Sequence, residues 1–277
     1  MNEYLLGQNG RRILIAYGLL LIIFIVVPAL VLVPISIGGD DSFVIVPDSL
    51  SLRWYEVLLQ DARWRNALVL SLQLATFSSI IATVAGVLGA IGISRASPGI
   101  AKALRLFFIA PIIVPLMVVG VGFYVLYARM RLVGSFVPLG MAHAVLILPF
   151  VMLPVSARLY SMDPRLEWAA ASLGAGPYRT MFKVTLPLLM PAILAGFAFA
   201  FIFSFDEVVV AQFLSGPRLE TLPRRMWEGI QMGGLEKTIT AVSTVQLILA
   251  ALAMLLITIW QRRAASRGAA SRRQNDS

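Results

Sequence analysis

Residues 161–188 read SMDPRLEWAAASLGAGPYRTMFKVTLPL and form a polar segment between two long apolar runs. Asp163 can cap a short helix, and Pro164 suits the first turn of that helix. Gly174 can adopt the left-handed conformation that ends a helix, because it has no Cβ to clash with the backbone. The first half of the segment therefore predicts a helix of about three turns.

The part of the segment that follows predicts a second helix. Gly176 and Pro177 restart the chain, and the helical spacing of apolar residues continues as far as Pro187. Four side chains share one face of this second helix: Tyr178, Met181, Phe182 and Thr185. Two short helices joined at a glycine predict a helix–turn–helix elbow outside the membrane.

The first of these short helices has a small apolar face. The face is formed by residues spaced i, i+3, i+4 and i+7: Leu166, Ala169, Ala170 and Leu173. Such a face can lie in the groove of a partner protein, and it can equally rest on the surface of a membrane. The pattern leaves both interpretations open.

The rest of the chain is strongly apolar, with 59% hydrophobic and 13% charged residues and a mean hydropathy of +0.85. Stretches free of Asp, Glu, Lys and Arg, and long enough to cross a bilayer, occur six times. Their continuous character predicts helices, since backbone groups in lipid must bond within their own segment or in a closed barrel. The predicted fold is an all-α membrane protein with helices at about 13–37, 66–93, 106–128, 133–157, 188–214 and 238–260.

These helices predict one transmembrane domain over residues 1–277, because little sequence remains for a folded soluble domain. Arg11 and Arg12 precede the first apolar run, which is too long for a secretory signal and is interpreted as a retained anchor. Residues 158–187 form the loop that carries the elbow. The arginine-, alanine- and serine-rich tail 261–277 is predicted to be disordered.

The net charge of +9 is distributed in a way that orients the bundle. With a cytoplasmic N-terminus, the inner segments contain 14 Lys and Arg against four acids, and the outer segments contain nine against ten. This excess of basic residues inside predicts that both termini are cytoplasmic, and it explains the charge without nucleic acid as a partner. The absence of cysteine excludes disulfides, thiolate metal sites and cysteine nucleophiles.

A second informative stretch, residues 203–217, reads FSFDEVVVAQFLSGP. Asp206 and Glu207 interrupt an otherwise apolar run from Leu188 to Leu214. A carboxylate at membrane depth costs about 2.5–3.5 kcal/mol and usually faces a bundle interior or a wet cavity, so this pair predicts a translocation path that favours cations. In the alternative interpretation, the helix ends near Phe205 and both acids are solvated.

The single histidine, His143, lies within the fourth apolar run. We interpret it as a hydrogen-bonded packing residue, because no second metal ligand or proton-relay partner stands near it in the sequence. A proton relay or a metal ligand is the alternative. No catalytic residues and no metal site are predicted.

The elbow resembles the EAA motif of ABC importer permeases of the binding-protein-dependent (MetI-like, type I) family. That pattern is E-A-A, three residues, G, nine residues and I-x-L-P. The positions that match in this chain are Ala169, Ala170, Gly174, Leu186 and Pro187, with Val184 in place of the isoleucine. Trp168 occupies the position of the glutamate, and Glu167 lies one residue earlier.

This resemblance implies a function for the elbow. In that family the loop is a coupling helix seated in a groove of a cytoplasmic ABC ATPase dimer. The resemblance also implies a second homologous permease subunit, which would form a heterodimer with this chain and complete the pathway. A periplasmic binding protein delivers the solute, and the complex lies in the bacterial inner membrane. The residues expected to couple to the ATPase are Glu167, Trp168, Ala169, Ala170, Gly174, Val184, Leu186 and Pro187.

The chain has no G-x-x-x-x-G-K-[ST] phosphate loop, so the resemblance implies that ATP and Mg²⁺ bind to the partner ATPase and that this chain is not an enzyme. The acid pair, together with the Leu-Ser-Gly-Pro and Thr-Leu-Pro stretches that follow, is similar to the spermidine and putrescine branch. Relatives in that branch carry other organic cations, opine-like compounds or phosphonates. An ATPase-independent secondary transporter or channel is the rival interpretation.

Overall fold

The computed structural model describes residues 8–41, 43–233 and 236–275. This part of the chain is helical apart from turns, loops and one isolated antiparallel bridge between Gly38 and Leu50. The helices are α1 (Gln8–Ser36), α2 (Arg53–Gln60), α3 (Ala62–Arg95), α4 (Pro98–Ile113), α5 (Leu116–Arg129), α6 (Phe136–Ser161), α7 (Arg165–Ser172), α8 (Pro177–Thr180), α9 (Leu186–Phe205), α10 (Val209–Leu214), α11 (Leu222–Gly233) and α12 (Lys237–Asn275). The predicted all-α class is confirmed.

Helices long and apolar enough to cross a membrane occur four times in the described residues: Gly10–Ser36, Ala62–Arg95, Phe136–Ser161 and Pro177–Phe205. The α4–α5 pair adds a fifth crossing if the two helices are counted as one bent span. The sixth predicted run lies in α12, whose apolar part is described over the shorter stretch Lys237–Leu252.

The predicted third helix, 106–128, is broken. Its residues belong to α4 and α5, which meet at an angle of 100°. Val114 and Pro115 are extended between them, with ψ values of 132° and 131°. The cause is Pro115, since a proline disfavours the helical conformation of the residue before it and has no N–H to donate.

The predicted fifth helix, 188–214, has different bounds at both ends. At its start, α8 runs through a π-helical turn at Met181–Thr185 directly into α9. The N–H of Leu186 donates to the carbonyl of Met181, and this wider turn accommodates Pro187, which cannot donate. At its other end α9 stops at Phe205, and a new helix, α10, begins at Val209.

The basic tail also differs from its prediction. The backbone of α12 remains helical through Asn275, so residues 261–275 extend the preceding apolar helix. Alanine, arginine and glutamine favour helices, and extending an existing helix requires no new nucleation. Residues 276 and 277 lie outside the described residues.

The chain divides into two compact units. The first contains the described residues of Met1–Arg65 and Gly229–Leu249. Within it the loop after α1 is held by side chains: Trp54 Nε1 donates to the carbonyl of Gly38 at 2.9 Å, and the hydroxyls of Ser36 and Tyr55 are 2.7 Å apart. Lys237, whose side chain is only 1% exposed, bonds Asp40 at 2.9 Å. These contacts give the loop a defined conformation.

The second unit contains the described residues of Asn66–Glu228 and Ala250–Ser277. Its core is centred on α6, which packs against α9. Small residues allow the close approach: a Cβ on Gly196 of α9 would lie 2.9 Å from the Cα of Val151, and one on Gly86 of α3 would lie 3.0 Å from the Cβ of Val151. Close helix packing at small residues is typical of membrane bundles.

Candidate functional site

The acid pair lies at the break between α9 and α10. Asp206 is the C-cap of α9, where its N–H donates to the carbonyl of Ile202 at 3.1 Å. Glu207 follows, and Val208 is the N-cap of α10. The helix therefore ends at Phe205, as the alternative interpretation held, but the two acids do not share the solvated environment that this interpretation assumed.

Glu207 is buried, with 5% of its surface exposed. Its two carboxylate oxygens accept the backbone N–H groups of Val210 at 2.8 Å and Ala211 at 3.1 Å. These N–H groups lie in the first turn of α10, where no intrahelical carbonyl is available to them. The carboxylate thus caps α10, and this is the physical reason why one apolar run forms two helices.

His143 of α6 contacts the same junction. Its Nδ1 lies 3.1 Å from Oγ of Ser204, and its Nε2 lies 3.4 Å from Oε2 of Glu207. The hydrogen bond agrees with the predicted packing role, and its partner stands 61 residues away along the chain. Among the described residues, no group of three or more His, Asp or Glu side chains could hold a metal ion.

A pocket of about 340 Å³ opens beside this junction. Asp206 is exposed, and within the described residues its carboxylate makes no hydrogen bond or ion pair. The rings of Phe150 and Phe203 lie 4.5 Å apart between their centroids. The lining residues are Leu116, Phe150, Phe199, Ile202, Phe203, Asp206, Glu207, Val208 and Val209.

The chemistry of this pocket suits an organic cation with a short apolar chain. A carboxylate attracts an ammonium group, aromatic faces add a cation–π attraction, and the apolar walls accept methylene groups. Of the two predicted path residues, only Asp206 offers a carboxylate that is not already engaged, because that of Glu207 is occupied by α10 and faces His143.

Sequence reasoning did not identify the aromatic lining of the pocket. Phe199 and Phe203 lie four residues apart and Asp206 lies three further on, so the helical spacing of α9 does carry a signal for one face. Phe150 and His143 come from α6, and no local pattern relates them to Asp206. Only the packing of α6 against α9 brings them to the junction.

The elbow forms as a helix, a turn and a second helix. Asp163 Oδ1 accepts the N–H of Arg165 at 2.9 Å, where α7 begins. α7 has eight residues, about two turns instead of the expected three. Gly174 has a φ of +81°, which confirms the predicted left-handed turn. The second helix does not end at Pro187 but continues into α9.

The residues of the EAA-like motif are exposed to different degrees. Trp168 is 68% exposed and Leu173 is 89% exposed, and Ala169 is exposed beside them. Ala170, Val184 and Leu186 are half-buried, whereas Pro187 is exposed. On the second helix, Tyr178 and Phe182 are exposed but Thr185 is buried, so the predicted common face is divided at the π-helical turn.

Glu167 is half-buried and contacts residues of its own chain. Its Oε1 accepts a hydrogen bond of 2.6 Å from the Thr185 hydroxyl and lies 3.9 Å from Nη2 of Arg95. A second pocket, of about 320 Å³, lies at these three side chains and is also lined by residues of α3 and α6. Glu167 therefore connects α7 to Thr185 and Arg95 of the same chain, whereas the side chain of Trp168 is exposed.

Comparisons with known proteins identify the family of this chain. Residues 82–269 match the family model described as binding-protein-dependent transport system inner membrane component. The chain is 32% identical over 271 residues to the putrescine transport system permease protein PotI of Escherichia coli, covering 94% of this chain and 93% of that protein. It is 30% identical over 230 residues to the spermidine/putrescine transport system permease protein PotC of Escherichia coli, covering 82% and 85%.

Solved structures give the same fold. A chain from the crystal structure of a bacterial alginate ABC transporter, in complex with an alginate pentasaccharide-bound periplasmic protein, superposes with a TM-score of 0.68 at 16% identity. That match covers 92% of this chain and 96% of the other. The resemblance found in the elbow extends to most of the sequence, and the chain belongs to the family of binding-protein-dependent transport system inner membrane components.

Proposed function

We propose that this chain is the permease subunit of an ATP-driven importer of small organic cations, with a polyamine such as putrescine or spermidine as the solute. The single observation that carries the proposal is the exposed carboxylate of Asp206 in a pocket lined by phenylalanines. The relatives named for putrescine and spermidine transport support the same class of solute. The family membership argues against a secondary transporter or channel that works without an ATPase.

The charge of the pocket favours cations over the other solutes considered. A phosphonate would bring negative charge toward Asp206 and Glu207, and the electrostatic repulsion would oppose its passage. A diamine matches the pocket better, because one ammonium group can approach Asp206 while its methylene chain lies against Phe150, Phe199 or Phe203.

The elbow is the proposed site of coupling to the ATPase dimer. The outward side chains of the elbow, among them Trp168 of α7 and Leu173 at its C-cap, form the surface that would enter a groove of the ATPase. From Pro177 the chain continues as one helical span to Phe205, a length of about 40 Å. A displacement of the elbow would therefore be transmitted along this helix to Phe203 and Asp206.

The family membership supports the remaining parts of the proposed complex. We place both termini on the cytoplasmic side of a bacterial inner membrane, where the excess of Lys and Arg belongs. A periplasmic binding protein would deliver the solute, a second permease subunit would complete the path, and the partner ATPase would bind ATP and Mg²⁺. This chain would contribute the solute pathway and the coupling surface.

Uptake of radiolabelled putrescine tests the proposal. The whole transporter is expressed in cells that lack their own polyamine importers, with the wild-type chain or with Asp206→Asn, which keeps the size of the side chain and removes its charge. We expect ATP-dependent uptake with the wild-type chain and at least a ten-fold lower rate with the variant, at equal recovery of the complex. Equal uptake by both chains would show that Asp206 does not contribute to the solute pathway.

A competition experiment identifies the solute class. Unlabelled spermidine should reduce putrescine uptake, whereas a phosphonate of similar length should not. Absence of putrescine uptake, together with uptake of an anionic solute, would contradict the proposal for the cation but leave the family assignment unchanged.

A further inference from the structure

The imidazole of His143 contacts residues on both sides of Asp206. Ser204 precedes Asp206 by two positions, and its Oγ lies 3.1 Å from Nδ1 of His143. Glu207 follows directly, and its Oε2 lies 3.4 Å from Nε2. The ring itself is only 1% exposed, so these contacts are shielded from competing solvent.

The two contacts reach different helices. The contact with Ser204 is a hydrogen bond, whereas Nε2 approaches the Glu207 carboxylate at 3.4 Å without hydrogen-bond geometry. Ser204 lies in the last turn of α9, and Glu207 caps the first turn of α10 through Val210 and Ala211. His143 lies on α6, which packs against α9. One side chain of a neighbouring helix therefore contacts residues at both ends of the break that contains Asp206.

We propose that His143 is a positioning residue that fixes the carboxylate of Asp206 at the pocket. This inference rests on the proposed function, in which Asp206 meets the cationic solute. In the described residues, the backbone of Asp206 is restrained by a single hydrogen bond, to Ile202, and its carboxylate makes none. The orientation of that carboxylate consequently depends on how firmly Ser204 and Glu207 are held.

If His143 only packs, the expected effect of replacing it differs from the effect expected for a positioning residue. If the ring only fills space, an apolar side chain of similar volume should replace it with little effect on transport. If the ring positions Asp206, loss of its two polar contacts should slow transport, and the loss should depend on the presence of the Asp206 carboxylate.

A double-mutant cycle in the complete transporter separates these roles. Putrescine uptake is measured with His143→Leu in the wild-type and in the Asp206→Asn background, with the amount of recovered complex as a reference. We expect His143→Leu to lower the maximal rate at least five-fold in the wild-type background and to have almost no further effect in the Asp206→Asn background. His143→Gln, which retains a donor and an acceptor, should recover part of the rate.

A matched control tests whether any buried polar change has the same effect. Ser204→Ala removes one of the two contacts and should lower uptake less than His143→Leu does. Ser78→Ala removes an equally buried hydroxyl that bonds only to the carbonyl of Leu74 in its own helix, and it should leave uptake unchanged.

A second measurement does not depend on the solute. Hydrogen–deuterium exchange of the purified complex reports the amides of Val210 and Ala211, which are bonded to Glu207. We expect His143→Leu to speed the exchange of these two α10 amides at least five-fold without changing exchange along α6. Unchanged exchange at both amides would overturn the inference, whichever solute is transported.

The outcomes of the cycle distinguish the two proposals. The positioning role would be overturned if His143→Leu lowered the uptake rate by the same factor in both backgrounds, or if uptake by His143→Leu were normal. Either result would leave the proposed function intact. Normal uptake by Asp206→Asn alone would overturn the pocket assignment of the proposed function and the positioning role with it.

Discussion

The hydroxyl of Thr185 donates a 2.6 Å hydrogen bond to Oε1 of Glu167, and this contact joins the short helix of the elbow to the helix that leads to Asp206. Thr185 is buried and Glu167 is half-buried, so the bond is partly protected from water. The contact gives α7 a connection to α9 other than the glycine turn. It is therefore expected to transmit a displacement of the elbow.

Thr185→Val tests this connection, because valine keeps the shape of threonine and removes the hydroxyl. Loss of the bond should cost about 1 kcal/mol and loosen the elbow. We expect the amount of solute transported per ATP hydrolysed to fall at least two-fold while ATP hydrolysis continues. Thr76→Val, which removes a bond to the carbonyl of Leu72 within one helix, is the control. A normal transport ratio in Thr185→Val would exclude the connection.

The outward face of α7 should be needed for binding of the ATPase. Trp168→Ala removes an aromatic side chain that is 68% exposed, and the loss of such an anchor at an interface costs about 2 kcal/mol, or roughly thirty-fold in affinity. We expect much less ATPase to co-purify with this variant, and none with a deletion of residues 164–174. Membrane insertion should be unchanged in both.

Leu59→Ala is the control for the face of α7, because Leu59 is also well exposed, at 65%, but belongs to α2. It should retain full recovery of the ATPase. Recovery of the ATPase at wild-type amounts with Trp168→Ala and with the deletion would refute the coupling surface.

The two adjacent acids should respond differently to neutralisation. Asp206→Asn leaves the fold intact, because the carboxylate makes no hydrogen bond among the described residues. Glu207→Gln places an NH₂ group against one of two backbone N–H donors, which leaves that donor unsatisfied at a cost of about 1–3 kcal/mol.

Thermal unfolding of the purified complex measures this difference. We expect a Tm lowered by several degrees for Glu207→Gln and a Tm within one or two degrees of the wild type for Asp206→Asn. Equal Tm values for the two variants would show that the buried capping role of Glu207 is wrong.

Gly174 should be required for its backbone conformation and not for its small size. A Cβ at Gly174 would meet no atom within 4 Å, but its φ of +81° disfavours any residue with a side chain. Gly174→Ala should therefore cost about 1 kcal/mol and reduce recovery of the ATPase, because the turn sets the direction of α7.

Gly176→Ala is a closely matched control, since a Cβ there also meets nothing within 4 Å and its φ of −69° is ordinary for alanine. This variant should be neutral or slightly more stable, because alanine restricts the unfolded chain. Thermal unfolding and ATPase recovery check both variants, and a similar response of the two glycines would contradict the explanation by backbone conformation.

Local sequence patterns were sufficient for the class of the fold and the location of the elbow. Long apolar runs require helices in lipid, and the register of Ala169, Ala170 and Gly174 is a short-range property of the chain. The break at Pro115 could also be predicted from the sequence, because a proline restricts the backbone of the residue before it. The helix predicted over 106–128 nevertheless includes Pro115 without a break.

Tertiary structure decided the chemistry of the acid pair. In the sequence Asp206 and Glu207 are adjacent carboxylates with no feature to separate them. Their difference arises because the carboxylate of Glu207 turns to the free N–H groups of α10 and to His143, whereas that of Asp206 faces a pocket partly walled by Phe150. Both His143 and Phe150 come from α6, and contacts between residues so distant in sequence depend on how helices pack, which no local pattern encodes.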